Sequence, residues 1–327
     1  MKVLLTGGAG YVGGACLRWL LKHGHDPIAF DNLAAGHAPA VPAGRLVTGD
    51  LEDVNALSRA MAEHKVEAVM HFAAVASVPE SIKLPELYYR TNVLGTKNVL
   101  DAMMHNGVRK IVFSSTAATY GFDNEMPLTE DSVQAPQVPY GTTKLAAERM
   151  IKDYARAYDL GYTIFRYFNA SGADPDGKFG EDHAHETHLI PLILYAALGR
   201  RDKVMIFGND WDTRDGTCVR DFVHTDDLAQ AHQLAVESLE PGMTRVYNLG
   251  SGNGVTVQEV LEACQRAAGR PIPHEIAPRR PGDPAILIAC PDRAKRELGW
   301  KPRLEDIAQI VDTAWRWHSM HPGGYST

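Results

Sequence analysis

A glycine-rich loop near the start of the chain is the feature that most restricts what it can fold into. Residues 4–14, LLTGGAGYVGG, follow the apolar run KVLLT and lead into a helical pattern. Gly8, Gly10 and Gly13 match G-x-G-x-x-G, and Gly7 provides a second spacing of three before Gly10. Glycines let backbone amides approach a phosphate, and a helix N-terminus favours negative charge. In this strand–loop–helix context we predict a dinucleotide site rather than an ordinary turn.

The next strand pattern ends in an acid, which bears on the choice of dinucleotide. DPIAFD (26–31) ends in Asp31, 18 residues past Gly13. A carboxylate there accepts hydrogen bonds from both ribose hydroxyls and repels a 2′-phosphate, which favours NAD over NADP. Asp50, at the end of the third strand pattern, is a candidate contact to the adenine. A helix N-cap for 52–64 explains Asp50 equally well.

Strand and helix patterns alternate through the first half of the chain. The predicted strands are 2–6, 26–31, 45–50, 66–73, 109–116 and 162–169. The predicted helices between them are 11–24, 52–64, 85–107 and 138–160. Apolar strands separated by helices indicate an α/β fold with a Rossmann-type doubly wound parallel sheet, covered on both faces.

The rhythm changes after residue 169, where a loop rich in Gly, Asp, Pro and His covers 170–186. Shorter elements follow: helices near 188–199, 225–239, 256–268 and 304–318, and strands near 203–207 and 245–250. We therefore predict an NAD-binding domain at 1–169 and a smaller α/β substrate-binding lobe at 170–327. The segments near 221–250 fit either domain.

Composition excludes several other classes of protein. The 327 residues are 45% apolar and 22% charged, which is typical of a soluble globular chain. The net charge is −7 and no basic stripe is present, so we expect no nucleic-acid partner. No apolar run approaches a membrane span or a signal peptide. The four cysteines show no C-x-x-C spacing, which favours reduced thiols in a cytoplasmic protein.

The stretch PYGTTKLAAE (139–148) places Tyr140 and Lys144 one turn apart on a predicted helix. One interpretation is a solvated surface pair, and the other is a phenol whose pKa is lowered for proton transfer. The pair alone favours the surface interpretation. FSSTAATYG (113–121) places hydroxyls at the carboxyl edge of a strand, where a ligand contact and a Ser/Thr-rich turn are equally good explanations.

The histidine-rich stretch HAHETH invites a metal-site interpretation. His183, His185 and His188 do not follow the H-E-x-x-H arrangement, and no acidic ligand is clearly placed. We therefore predict no metal here.

Three arginines are candidates for capturing an anion, because a guanidinium fits a phosphate. They are Arg220, Arg279 and Arg280. Surface ion pairs with Asp221 or Asp283 are the alternative, and spacing alone favours that alternative.

Taken together, these segments resemble the extended short-chain dehydrogenase/reductase family and, within it, the UDP-glucose 4-epimerases. The resemblance runs almost end to end and rests on VLLTGGAGYVG, DNL, HFAA, FSSTAATYG, PYGTTKLAAE, RYFNASGADP, GEDHAHETHLIP, IFGNDWDTRDGTCVRDFVHTDDLAQAH, YNLGSG, APRRPGDP, LGWKP and HPGGY. The glycine pattern and Y-x-x-x-K occur across the superfamily. TRDGTCVRDFVH and APRRPGDP are far more specific to the epimerases.

The resemblance implies roles for individual residues. Tyr140 would exchange the proton of the sugar's 4-hydroxyl, Lys144 would bind the nicotinamide ribose and lower the pKa of Tyr140, and Thr116 would bridge Tyr140 and the hexose. The implied NAD contacts, besides Tyr140 and Lys144, are Gly7, Gly10, Tyr11, Val12, Gly13, Asp31, Asn32, Asp50, Leu51, Phe72, Ala73, Ala74, Asn92 and Phe168. The implied UDP-sugar contacts, besides Thr116, are Asn169, His188, Leu189, Met205, Phe207, Arg220, Arg280, Asp283 and Leu287.

The implied reaction is oxidation of the sugar at C4, rotation of the 4-keto sugar and re-reduction on its other face. It would interconvert UDP-galactose and UDP-glucose, with N-acetylated and pentose UDP-sugars left open as substrates. Arg220 and Arg280 would clamp the diphosphate, which reverses the interpretation from spacing. His188 stands where some relatives have an amide. The family also implies a homodimer through the helices near 85–107 and 138–160.

Two alternatives remain at this stage. A dehydratase or decarboxylase of the same superfamily would share the cofactor, but dehydratases need an acid/base carboxylate pair directly after Thr116. Ala117 and Ala118 stand there. A non-catalytic NAD-sensing protein would tend to lose Tyr140 or Lys144, and both are present.

Overall fold

The structure is a computed structural model that describes residues 1–280 and 282–325; Pro281, which belongs to the stretch APRRPGDP (277–284), lies outside the described residues. The strands are β1 (Lys2–Thr6), β2 (Asp26–Asp31), β3 (Leu46–Thr48), β4 (Ala68–His71), β5 (Lys110–Thr116), β6 (Gly161–Tyr167), β7 (Asn169–Ser171), β8 (Val204–Phe207), β9 (Val219–Arg220), β10 (Phe222–His224), β11 (Thr244–Leu249), β12 (Val255–Thr256), β13 (His274–Ala277) and β14 (Ile286–Leu287). The helices are α1 (Tyr11–Lys22), α2 (Val54–Glu63), α3 (Val78–Lys83), α4 (Pro85–Tyr88), α5 (Gly95–His105), α6 (Pro139–Tyr158), α7 (Leu189–Ala197), α8 (Thr225–Ser238), α9 (Val257–Ala268) and α10 (Ile307–Met320).

The main sheet has seven strands in the order β3-β2-β1-β4-β5-β6-β11, and every pairing in it is parallel. Strands β2 and β3 are added on one side of β1, and β4, β5 and β6 are added on its other side. The point between β1 and β4 where this change occurs is the place at which doubly wound sheets bind ligands. The predicted fold class is confirmed. The outer strand β11 comes from the second half of the chain, so the sheet draws on both halves.

Helices cover the sheet on both faces. On one face α1 and α8 bury apolar side chains that include Leu17, Leu20 and Leu228. On the other face α2, α5 and α6 bury Leu57, Leu100 and other apolar side chains. Burial on both faces explains why the strands read as continuous apolar runs rather than as alternating patterns.

A second apolar core lies beside the carboxyl edge of the sheet. It is built from α7, α9 and α10 with β8, and strands of two to four residues add the small sheets β12-β9-β14, β13-β8 and β10-β7. These elements form a second lobe, here called the small lobe.

The predicted helix 85–107 is not uniform. A π-helical segment, Tyr89–Leu94, separates α4 from α5. Such turns occur often at functional sites, and this one carries Asn92. Among the described residues, no helix is both long and apolar enough to cross a bilayer.

Candidate functional site

One cavity of about 1780 Å³ runs along the carboxyl ends of β1, β2, β4, β5 and β6 and continues under the small lobe. Its volume exceeds the roughly 300–1,000 Å³ of a pocket for one small ligand, so it has room for two. All the sequence-predicted site residues except Asn92 line it: Gly7, Gly10, Tyr11, Val12, Gly13, Asp31, Asn32, Asp50, Leu51, Phe72, Ala73, Ala74, Thr116, Tyr140, Lys144, Phe168, Asn169, His188, Leu189, Met205, Phe207, Arg220, Arg280, Asp283 and Leu287.

The glycine loop packs so closely on neighbouring backbone that Gly7 and Gly13 have no space for a side chain. Gly7 has φ +71°, and a Cβ there would lie 2.6 Å from the nitrogen of Ala73. A Cβ on Gly13 would lie 2.2 Å from the carbonyl oxygen of Gly7. Helix α1 starts at Tyr11 with Gly10 as its N-cap, and no side chain caps its first amides. Those amides therefore face the cavity end with their hydrogen-bonding capacity available for an anion.

Asp31 is buried at the end of β2 and organises the loops beside it. Its carboxylate accepts the N–H groups of Ala9 (3.0 Å) and Leu33 (2.8 Å). Asp50 accepts the side-chain amide of Asn32 at 2.7 Å, which joins the ends of β2 and β3. The N-cap alternative for Asp50 is wrong, because Asp53 caps α2 by accepting the N–H of Ala56. The two acids are thus left at the cavity wall.

Asn92 is buried away from the cavity lining and ties a loop to a helix. Its amide exchanges two hydrogen bonds with the backbone of Val75, at 3.0 Å each, and donates to the Thr143 hydroxyl at 3.1 Å. Val75 lines the cavity, and Thr143 lies on α6 beside Lys144. Asn92 therefore positions residues of the cavity wall and does not itself line the cavity.

Tyr140 and Lys144 lie one turn apart on α6, and Thr116 is the last residue of β5. All three line the cavity, so the surface-pair interpretation of Tyr140 and Lys144 is wrong. The Lys144 ammonium is buried, donates to the carbonyl of Ser114 at 2.8 Å and lies 4.9 Å from the centre of the Phe113 ring. The phenol, the ammonium and the hydroxyl are thereby brought to one place.

Burial dominates the protonation of both α6 side chains. It raises the pKa of Tyr140 above its usual 10.0, while the Thr116 hydroxyl acts in the lowering direction. It lowers the pKa of Lys144 from 10.5 to about 7, although the charge of Glu148 opposes this. The expected lowering of the Tyr140 pKa depends on the charges of Lys144 and of a nicotinamide ring, and it stays a prediction; burial and the Thr116 hydroxyl are the influences on this pKa that the chain itself supplies. Lys144 has become a group that titrates near neutrality.

Gly141, which the sequence analysis did not single out, lets α6 approach the turn that carries Thr116. A Cβ at this position would lie 2.1 Å from the carbonyl oxygen of Ala118. The glycine therefore brings the first turn of α6, with Tyr140, against the end of β5.

A buried ion pair supports the other side of α6. Arg166 on β6 donates twice to Glu148, at 2.8 and 3.0 Å, and Glu148 also accepts the Ser115 hydroxyl at 2.6 Å. Arg166 further donates to the hydroxyl of Tyr120 at 2.8 Å. Because Glu148 lies one turn after Lys144, this network fixes α6 against β5 and β6. The residues are 18 apart in sequence, and nothing in their spacing predicts the pair.

Two arginines from the second half of the chain, Arg220 and Arg280, also line the cavity. Arg220 on β9 donates to the carbonyls of Val219 and Pro284, at 2.9 Å each, and its nearest carboxylate, Asp283, is 3.9 Å away. Arg280 lies over the ring of Phe207, 4.1 Å from its centre, and forms no ion pair with another described residue. Both guanidinium groups therefore retain capacity to bind an anion.

The neighbouring residues show why spacing misled. Arg279 pairs with Asp210 at 2.8 Å and stacks on Trp211, outside the cavity lining. Asp221 does not pair with Arg220; it is buried and accepts the backbone N–H groups of Ser251, Gly252 and Ala289. Ion pairing on the surface thus describes Arg279, whereas Arg220 and Arg280 belong to the cavity.

Leu287 lies on β14, paired in register with Arg220. It lines the cavity and packs against a small apolar cluster that includes Ala117, Tyr120 and Phe168. This places an aliphatic wall between the Thr116 turn and Arg220.

Two histidines and two glutamates meet in the wall near Tyr11: Glu181, His183, Glu186 and His188, here called the His–Glu cluster. The expectation that no acidic ligand is placed near the histidines is wrong, because Glu181 and Glu186 contact both imidazoles. Although burial lowers the pKa of His188, the Glu181 carboxylate raises it to about 9. His185 is exposed and lies outside the cluster.

Comparisons with known proteins match this geometry. The model of the NAD dependent epimerase/dehydratase family matches residues 3–250. A UDP-glucose 4-epimerase of Halalkalibacterium halodurans is 49% identical, over 100% of this chain and 98% of that protein. One of Corynebacterium glutamicum is 50% identical, over 98% and 96%. The crystal structure of the Bifidobacterium longum UDP-glucose 4-epimerase in complex with NAD⁺ and UDP superimposes with TM-score 0.94 at 37% identity, over 99% of this chain and 100% of that one.

Proposed function

The chain belongs to the NAD dependent epimerase/dehydratase family, and from this membership we propose that it is a UDP-glucose 4-epimerase, which interconverts UDP-galactose and UDP-glucose with NAD as cofactor. One observation carries the proposal. A single cavity is lined by the glycine loop, by Tyr140 and by Arg220 and Arg280. A dinucleotide and a nucleotide sugar need such a joined pair of sites.

The residues present fit NAD. The close approach of Gly7 and Gly13 leaves a cradle that a Cβ would fill, and the first amides of α1 would hold the pyrophosphate. Asp31 would bind the adenosine ribose, and its charge would exclude a 2′-phosphate. When bound, NAD supplies a hydride acceptor and donor for C4 of the sugar, so the complete cycle is redox-neutral.

Tyr140 is the proposed acid and base. Its hydroxyl would take the proton of the sugar's 4-hydroxyl during oxidation and return a proton when the carbonyl is reduced. Burial favours the neutral phenol, so nearby positive charge is needed to make it a base. Lys144 in its protonated form would be the cation that α6 provides for this purpose, and Thr116 would orient the sugar hydroxyl beside the phenol.

Most of the substrate's binding energy is expected to come from contacts to its diphosphate and uridine, away from the reacting C4 of the sugar. Arg220 and Arg280 would hold the diphosphate with charge-assisted hydrogen bonds, and Phe207 would pack with the uridine end. The hexose side is lined by Leu287 and by small residues such as Ala117 and Ala118. Strong remote binding with a loosely held ring allows the 4-keto sugar to turn before it is reduced.

The dehydratase alternative lacks its chemistry here. Elimination of water needs a carboxyl group beside Thr116, and the cavity wall there consists of Ala117 and Ala118. The NAD-sensing alternative is disfavoured by the assembled Tyr140, Lys144 and Thr116.

The test is incubation of the purified protein with UDP-galactose and no added cofactor. We expect UDP-glucose to accumulate to equilibrium, and we expect acid extraction of the protein to release NAD(H). A 4-keto-6-deoxy or decarboxylated product would support the alternatives. Absence of any product, or activity only with added NADP, would refute the proposal.

We also propose that the protein is a cytoplasmic homodimer. Large apolar side chains on the π-helical segment and on α6 are exposed: Tyr89, Leu94 and Tyr158. A second copy packed on the same helices would cover such a surface. The four cysteines are free, as expected in a reducing compartment. Sedimentation at micromolar concentration tests the dimer, and cell fractionation tests the location.

A further inference from the structure

The donor atoms of the His–Glu cluster have the spacing of a tetrahedral metal site. All four lie within 4.8 Å of one another. His183 Nδ1 is 3.1 Å from Glu186 Oε2 and 3.4 Å from Glu181 Oε1. His188 Nδ1 is 3.9 Å from Glu186 Oε1 and also contacts Glu181. Ligand bonds of about 2.0–2.1 Å around a tetrahedral ion place donors about 3.3 Å apart, so small side-chain movements would close the site.

The backbone around the cluster is anchored on both sides. The carbonyl of Glu181 accepts the indole N–H of Trp317 at 3.0 Å, and the carboxylate of Asp182 accepts the N–H of Tyr325 at 2.9 Å. At the other end His188 is the N-cap residue of α7. The ligand-bearing segment is therefore fixed at both ends, as a pre-organised site requires.

One of the carboxylates is oriented by the backbone. Glu186 Oε1 accepts the N–H groups of Thr187 and His188, at 2.7 Å each. These bonds leave Oε2 directed at His183. Such support of a ligand by further hydrogen bonds is typical of metal sites in proteins.

We propose that the His–Glu cluster is a structural site for a zinc-class divalent cation in the cavity wall. When the ion displaces the protons that the imidazoles hold in its absence, two carboxylates and two neutral imidazoles balance its charge, and imidazole donors favour Zn²⁺ over Mg²⁺ or Ca²⁺. The protein supplies all four donors, so no position is left for a reacting water. The ion would stiffen the ligand-bearing segment, residues 181–188. This segment lies near Tyr11, an implied NAD contact, and next to Leu189, an implied UDP-sugar contact, and the ion would add no chemical step. The inference stands independently of the proposed epimerase activity.

The competing explanation is a network of imidazolium–carboxylate ion pairs that satisfies the same contacts without metal. The two explanations are separated by titrating chelator-treated protein with Zn²⁺ in a calorimeter. We expect one site per chain in the wild type, and weakening of that site by more than about 100-fold in His183→Ala, since loss of supporting residues alone costs up to about 100-fold. His185→Ala is the matched control from the same segment and should bind like the wild type.

Two further measurements keep the inference testable if His183→Ala folds poorly. Glu186→Gln retains an oxygen for the backbone bonds but loses the charge, and it should also weaken Zn²⁺ binding. Co²⁺ bound to wild-type protein should give the intense visible absorption of a four-coordinate site, and Zn²⁺ should displace it. Equal Zn²⁺ isotherms in all variants, no binding, or a weak six-coordinate Co²⁺ spectrum would each overturn the metal site and leave the ion-pair network.

Discussion

Gly141 packs directly on Ala118: a Cβ at position 141 would lie 2.1 Å from the Ala118 carbonyl oxygen, much closer than any real contact. The contact joins the first turn of α6 to the turn that follows β5. These two segments carry Tyr140 and Thr116, so their separation sets the distance between the proposed acid/base and the hydroxyl beside it.

Gly141→Ala should therefore push α6 away from the Thr116 turn. We expect a loss of about 1–3 kcal/mol in the free energy of unfolding, as for other overpacked sites, and a fall in kcat of roughly 100-fold from misplacement of Tyr140. Gly323→Ala is the control, because a Cβ there meets no atom within 4 Å. Urea unfolding and steady-state kinetics measure the two effects; a variant with normal kcat would show that this packing does not position the phenol.

Tyr140→Phe removes only the hydroxyl that is proposed to carry the proton. We expect kcat to fall by roughly two to four orders of magnitude, the usual contribution of a general base, while NAD content and thermal stability stay close to wild type. Kinetics and acid-extractable NAD(H) should be measured on the same preparation. Turnover near that of the wild type would remove Tyr140 from the mechanism.

Lys144 imposes a pH-dependent cost on folding. Burial lowers its pKa to about 7 from 10.5, so between these values the unfolded chain holds a proton that the folded chain has released. Stability from this group therefore rises with pH, by about 2–3 kcal/mol between roughly pH 6 and pH 9. Lys144→Met should lose that rise while losing activity and NAD affinity. Urea unfolding of nucleotide-stripped proteins at both pH values measures it, and parallel pH profiles would contradict the assignment.

Arg280→Ala should mainly weaken UDP-sugar binding. A charge-assisted contact to phosphate contributes about 1.5–3 kcal/mol, which corresponds to roughly 10- to 150-fold in Kd. Arg279→Ala is a matched control, because Arg279 is adjacent in sequence to Arg280 but pairs with Asp210 and stacks on Trp211 instead. Calorimetric titration with UDP should separate the two variants. Equal losses in both would point to general electrostatic attraction rather than a diphosphate clamp.

The long elements of this fold are readable in the sequence, and the short ones are not. Strands β1, β2 and β4–β6 are continuous apolar runs with helices between them, so their positions follow from pattern alone. Strands β9, β12 and β14 have two residues each, too few to show a period, and they form only because the lobe folds around them. The π-helical segment Tyr89–Leu94 does not change the helical spacing of the apolar residues, so it also cannot be predicted from the sequence pattern.

The same distinction applies to the site. Glycine spacing, Asp31 and the Tyr140–Lys144 pair carry local signals, because each depends on neighbours in sequence. The contact of Glu148 with Arg166, and of Glu181 with His188, depends on side chains that tertiary packing brings together. Arg279 and Arg280 are adjacent and chemically identical, and only the fold decides which of them faces the cavity.

Leu287 offers a test of which sugars the cavity accepts. Leu287 lies on β14, where it is paired with Arg220 of β9. It lines the cavity and packs against the apolar cluster that contains Ala117 and Phe168. Its position is proposed to border the substituent at C2 of the hexose. Leucine has no ring and changes rotamer readily, but it is bulkier than cysteine or serine. We therefore expect a preference for UDP-glucose and UDP-galactose, with measurable activity on the N-acetylated pair.

Leu287→Tyr should lower kcat/KM for the N-acetylated pair by roughly 5- to 150-fold and leave the parent pair largely unchanged. The larger ring would overpack the pocket only when the N-acetyl group is present, at a cost of about 1–3 kcal/mol for that ligand. Ile286→Tyr, on the same strand but outside the cavity lining, is the matched control. The quantity to compare is the ratio of kcat/KM for the two sugar pairs. If tyrosine at 287 leaves this ratio unchanged, Leu287 does not form the wall beside C2, and the small side chains of the Thr116 turn become the next candidates for that role.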